Sequence, residues 1–121
     1  MQLAFSTNAY KQHSREEAIV SIASVGYAGC EVMADTPHAW TGELTDDRVA
    51  AIRRAIDDAG LAVSNVNAFT TFAIGDTYHP SWIDDDPDAR ARRVEHTRRA
   101  IALAAALGAG NVSVEPGGPL E

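Results

Sequence analysis

The 121 residues include ten basic and seventeen acidic side chains, for a net charge of −7, with 45% hydrophobic and 22% charged residues. This is the composition of one ordinary globular domain, too apolar to be disordered and too acidic for non-specific nucleic-acid binding. The longest strongly apolar run, Ala100 to Ala106, is too short to cross a bilayer, and a single cysteine, Cys30, excludes an internal disulfide or a multi-cysteine metal cluster within one chain.

Taken in chain order, Gln2 to Thr7 reads as a first strand. Ser14-Arg15-Glu16-Glu17 is a capping box, in which the serine hydroxyl takes the Glu17 amide and Glu17 reaches back. The helix it opens carries Ala18, Ile19, Ile22, Ala23 and Val25 as its apolar stripe, and Gly26 stops it. Cys30 to Met33 is the second strand. Thr45 caps a second helix whose first turn holds Asp46 and Asp47, where the dipole favours anions. Val49, Ile52, Ile56 and Ala59 form its buried stripe, and Gly60 ends it. Leu61 to Ala68 is the third strand. Asp86-Pro87 opens a third helix, since proline at the first helical position loses no hydrogen bond. That helix runs to about Leu107 with Val94, Thr97, Ile101 and Ala104 on its buried face. Gly108 stops it, and Asn111 to Val114 is the fourth strand.

The order βαβαβαβ predicts parallel strands joined by right-handed crossovers. Helix-to-strand loops are short, whereas the strand-to-helix loops Ala34 to Leu44 and Phe69 to Asp85 are long. In α/β folds ligands bind on that strand-to-helix side. The sequence contains no GxGxxG, no GxxxxGK[ST] and no GxSxG, which argues against nucleotide-binding and α/β-hydrolase chemistry.

Polar residues gather where the strands end: Asn8 after the first, Glu31, Asp35 and His38 at the second, Asn67 at the third with His79 and Trp82 on its loop, and Glu115 at the fourth. Carboxylates, amides and imidazoles on one rim suit a sugar, or oxygen and nitrogen ligation of a divalent metal. Each also has a plain structural reading. Asn8 and Asn67 are common turn formers. Glu31 would serve equally as an arginine partner, His38 and His79 as loop caps, and Trp82 as filler or as a stacking platform. Glu115 stands beside a stiff Pro-Gly turn. His13 and His96 read as inert, with His96 on a polar helix face. Arg90, Arg92, Arg93, Arg98 and Arg99 read as a solvated outer face, and Cys30 as a small core residue. The N-terminus shows no secretory signal, so cytoplasm is the expected compartment.

The stretches Phe5 to Tyr10, Gly29 to Asp35 with Pro37-His38, His79 to Asp84, and Glu115 to Pro119 together resemble the N-terminal half of the xylose isomerase-like TIM barrels, in particular the sugar phosphate isomerase/epimerase group. The resemblance runs over almost the whole chain. It implies a (β/α)8 barrel and a divalent metal cation (Mn, Mg, Co or Zn) at the rim. Two glutamates would shuttle a proton beside a carbonyl. It places the main metal ligands and the catalytic pair on later strands, so no catalytic or metal residue is assigned in this half. Asn8, Glu31, His38, Asn67, His79, Trp82 and Glu115 would bind substrate. The related endonuclease branch carries metal-binding histidines on strands three and four. His79 matches the first only loosely and Glu115 replaces the second, which speaks against DNA repair.

A complete barrel needs about 250 residues, so residues 1–121 read as one partial barrel domain with open edges at the first and fourth strands. Either the chain is a fragment, which its abrupt end favours, or two copies pair through those edges. The expected function is a sugar or sugar-phosphate isomerase or epimerase half, inactive alone, with a small-molecule partner and no nucleic acid or membrane. A non-catalytic binding module and a metal-dependent lyase or dehydratase on the same barrel are the alternatives.

Overall fold

In the computed structural model, which describes residues 1–115, four parallel strands form one sheet in the order β1-β2-β3-β4. The strands are β1 (Ala4–Ser6), β2 (Gly29–Met33), β3 (Ala62–Asn67) and β4 (Val112–Ser113), and the helices α1 (Arg15–Ser24), α2 (Asp46–Asp58) and α3 (Pro87–Leu107) connect them in turn. β1, β3 and β4 are shorter than their sequence runs, while β2 starts one residue earlier, at Gly29. Thr7 leaves β1 to begin a 3-10 turn through Tyr10, and its Oγ1 accepts the Met33 amide.

The helix starts follow local chemistry. Ser14 and Glu17 make both halves of the capping box. The Thr45 side chain accepts from the Arg48 amide, and Asp86 accepts from the Asp88 amide with Pro87 at the helix start. α3 closes on Gly108 in the left-handed region, φ +73°, where a side chain would be strained. Arg53 of α2 donates Nη1 to the Leu107 carbonyl there, tying the two helices.

All three helices pack on one face of the sheet. Ile19 and Ile22 of α1, Ile52 and Ile56 of α2, and Ala100, Leu103 and Leu107 of α3 share a core with Cys30, Val32 and Val66. Val25 falls outside it, exposed after the helix end.

α3 differs most from expectation. Thr97 and Ala104 are buried as expected and Val94 is half-buried, but Ile101 is exposed, and Ala89, Arg93, His96, Ala100, Leu103 and Leu107 are buried as well. Arg93 and His96 are therefore not on a solvated face. Arg93 Nη1 donates to the Phe69 carbonyl at 2.7 Å. The His96 ring stacks on Trp40, centroids 5.2 Å apart, and its Nδ1 lies 3.0 Å from Thr41 Oγ1. Partners in the two long loops offset part of this burial, while Arg93 Nε and His96 Nε2 are buried without a hydrogen-bond partner.

Candidate functional site

Successive side chains point to opposite faces of a strand. On β2 this puts Cys30 and Val32 in the core and Glu31 on the face away from the helices. β3 departs from strict alternation. The register steps from Cys30↔Val63 to Glu31↔Asn65, leaving Ser64 unmatched. This bulge lets Val63 and Val66 both pack toward the core while Asn65 and Asn67 stand beside Glu31.

Glu31 is the centre of that open face. Ser6 Oγ donates to its Oε1 at 2.6 Å, Asn67 Nδ2 to Oε1 at 3.2 Å, and Asn65 Nδ2 to Oε2 at 2.6 Å. Asn65 Nδ2 also reaches Ser113 Oγ on β4 at 2.8 Å, so four strands contribute to one polar cluster. Burial pushes the Glu31 carboxyl up, but hydrogen bonds from Ser6, Asn65 and Asn67 outweigh it and hold the carboxyl below its ordinary value. The group is a fixed carboxylate at neutral pH.

The long loops are bound to each other rather than to Glu31. Asp35, fully buried, accepts from the Thr36, Phe72 and Ala73 amides. That fastens the loop after β3 to the loop after β2. His38 is buried too, and Arg15 Nη1 donates to its carbonyl. Desolvation lowers the His38 pKa, so its ring is neutral. The Cys30 thiol, fully buried, is pushed up to about 11 by desolvation. A thiol so protonated is a poor nucleophile.

Of the residues expected at the rim, the structure brings Glu31 and Asn67 into contact. Asn8 lies in the turn after β1, its amide donating to the same Ser6 Oγ that serves Glu31. Glu115 is exposed just beyond β4, the last described residue. His38, His79 and Trp82 make no hydrogen bond to the cluster. His79 is exposed beside Asp76, and Trp82 is partly buried in its loop. Sequence reading missed Ser6, Asn65 and Ser113. The spacing of Asn65 and Asn67, two apart beside apolar Val66, was the available signal.

Among the described residues no group of three or more His, Cys, Asp or Glu side chains could hold a metal ion. Glu31, already accepting three hydrogen bonds, is the one carboxylate in the cluster. These residues do not fit a resident divalent cation. No helix among them is long and apolar enough to cross a membrane. A cleft of about 360 Å³ lies elsewhere, between Trp40 and Thr41 on one side and Arg92, His96 and Arg99 of α3 on the other.

Four parallel strands with helices on one face and polar groups on the other are half of a parallel β/α barrel. The family described as xylose isomerase-like TIM barrel matches residues 19–121, and the chain belongs to it. No curated protein matches the chain. Among solved structures it resembles a D-psicose 3-epimerase determined in the presence of D-fructose, with TM-score 0.69 and 20% identity over 100% of this chain and 40% of that one. It also resembles the 3-keto-D-glucoside 4-epimerase YcjR from E. coli, TM-score 0.64 and 18% identity over 93% of this chain and 36% of that one. A third is a xylose isomerase-like TIM barrel protein from Mycobacterium smegmatis in complex with magnesium, TM-score 0.69 and 15% identity over 99% of this chain and 39% of that one. The likeness is one of fold, and the chain spans about two-fifths of the length of each.

Proposed function

We propose that residues 1–121 form one partial barrel domain, the N-terminal half of a sugar or sugar-phosphate isomerase or epimerase. The reaction would move a proton next to a carbonyl. The observation that carries this reading is the ionised Glu31 carboxylate, fixed by three donors at the centre of an open polar sheet face. Membership of the family and the sugar epimerases among similar structures support it.

In this reading Glu31 binds rather than reacts. The remaining lone pair, on Oε2, accepts a hydroxyl hydrogen of the substrate, and Asn65 and Asn67 keep the carboxylate from turning away. Asn8, His38, Asn67, His79, Trp82 and Glu115 would line the rest of the substrate side, though His38 would need to leave its buried position to do so. The described residues form no cage for a divalent cation, so any cation the reaction uses would be held by other strands of the barrel.

The full-length protein should exchange solvent deuterium into the carbon beside the carbonyl of a ketose. Removing one charged hydrogen-bond acceptor should lower kcat/KM about 10- to 100-fold in Glu31→Gln. Unchanged kinetics in that variant would remove Glu31 from the site. Failure of every ketose and aldose to exchange would overturn the reaction class.

A further inference from the structure

Two serines flank Glu31, and the hydrogen bonds commit them differently. Ser6 Oγ donates its hydrogen to Glu31 Oε1 and accepts the Asn8 amide, so both its roles are taken. Ser113 is reached through Asn65. Because Glu31 is an ionised carboxylate, only the nitrogen of the Asn65 amide can face it, and one Nδ2 hydrogen goes to Oε2 at 2.6 Å. The second Nδ2 hydrogen goes to Ser113 Oγ at 2.8 Å. Ser113 Oγ is thereby an acceptor toward Asn65, and its own hydrogen is turned away from that amide at an exposed position on β4. The carboxylate is uneven in the same sense. Oε1 takes two donors, Ser6 and Asn67, whereas Oε2 takes Asn65 alone.

A donor, the Ser113 hydroxyl, and an acceptor, the remaining lone pair of Oε2, thus lie within hydrogen-bond distance of one nitrogen. A single oxygen atom can reach both. It must accept from Ser113 and donate to Glu31, which a hydroxyl does. A carbonyl or ether oxygen accepts from Ser113 but sets a lone pair against the carboxylate. Resting on the sugar reading above, we infer that Ser113 is a specificity-determining residue that clasps one substrate hydroxyl together with Glu31, and that Asn65 is the positioning residue that aims its hydrogen. The substrate carbon over Asn65 therefore carries a spectator hydroxyl, and the reacting carbonyl is on another carbon.

The test uses full-length protein and calorimetric titration with D-fructose, D-tagatose and the 1-, 3-, 4-, 5- and 6-deoxy analogues of whichever binds more tightly. Removing the clasped hydroxyl should weaken binding to wild type about ten-fold. In Ser113→Ala that penalty should fall to about two-fold, while the penalties at other positions stay as in wild type. Ser113→Thr, which keeps the hydroxyl, should restore it. Asn65→Asp offers Ser113 an acceptor in place of a donor, and should erase the same penalty and no other, a selectivity that a merely structural role would not produce. The variants lie on separate strands, so one remains informative if the other fails to fold, with circular dichroism as the check. Deoxygenation penalties that neither variant changes would overturn the inference and leave the sugar reading standing. A Ser113→Ala variant that weakens every analogue equally would overturn it too, because the serine would then support the face without touching the substrate. If neither ketose binds, the sugar reading itself falls and takes the inference with it.

Discussion

His96 shows how a polar residue enters a core and what that does to stability. Its ring is 3% exposed. Desolvation, reinforced by nearby Arg93, lowers its pKa from 6.5 to about 4. Below pH 6.5 the unfolded chain takes up a proton that the folded protein refuses. The stability contributed by the neutral ring is complete above pH 6.5 and is lost as pH falls toward about 4, a window worth about 3 kcal/mol. His38 acts in the same direction. Urea unfolding of wild type and His96→Gln isolates the His96 share: the stability advantage of wild type over the variant should shrink by about that amount between pH 7 and pH 4. A constant difference would mean that His96 titrates as an exposed histidine. The sequence alone did not reveal this residue. α3 offers two stripes, Val94-Thr97-Ile101-Ala104 and Ala89-Arg93-His96-Ala100, and hydropathy favours the first. Thr97 and Ala104 of the first are indeed buried, but the second is buried too, because Phe69 and Thr41, 24 and 55 residues away, supply hydrogen bonds to Arg93 and His96. Local pattern carries no record of partners that distant.

Element boundaries divide the same way. The three helix starts were legible because each cap is satisfied within three residues of itself, as Ser14 with Glu17 and Asp86 with Asp88 show. The loops were legible in length but not in role. Asp35 reads in sequence as one more rim carboxylate, yet its oxygens are engaged by the Phe72 and Ala73 amides, 37 and 38 residues on. It fixes the base of the loop that carries His79 and Trp82. Asp35→Ala would leave those two amides without their acceptor, at a cost of about 2 to 5 kcal/mol if neither finds water. Amide hydrogen exchange should then rise at Phe72 and Ala73, while Val66 in β3, whose amide is held by the Asn111 carbonyl, keeps its protection. Equal protection of all three in the variant would show that the loop holds its place without Asp35. Asp35→Asn, retaining one acceptor oxygen, should fall between.

At the scale of the molecule, the parallel half-barrel was legible because few topologies satisfy three helical crossovers of one hand. The convergence of Glu31 and Asn67 was legible because strand ends on one side of such a sheet lie together. Asn65 and Ser113 were harder to place, because their position beside Glu31 depends on the bulge at Ser64, whereas Ser6 lies opposite Glu31 in the β1–β2 register. The same sheet explains where apolar surface is left uncovered. β1 and β4 are its outermost strands, each paired on one side only. Leu3 and Phe5 are exposed beside β1, and Val114 beyond β4 with Ile101 on α3. The face away from the helices, by contrast, is polar around Glu31. Part of the exposed apolar surface therefore sits at the flanks, where further strands and helices of a barrel would pack. The isolated 121-residue chain should bind 8-anilinonaphthalene-1-sulfonate with a rise in fluorescence and should self-associate as its concentration increases. Phe5→Ser and Ile101→Ser should lower both effects, since each removes apolar surface at one flank without touching the Glu31 cluster. A full-length protein that closes the barrel should show neither. If the isolated chain stays monomeric by light scattering and leaves the dye dark, the flanks are covered by the chain itself and the open half-barrel is not its solution form.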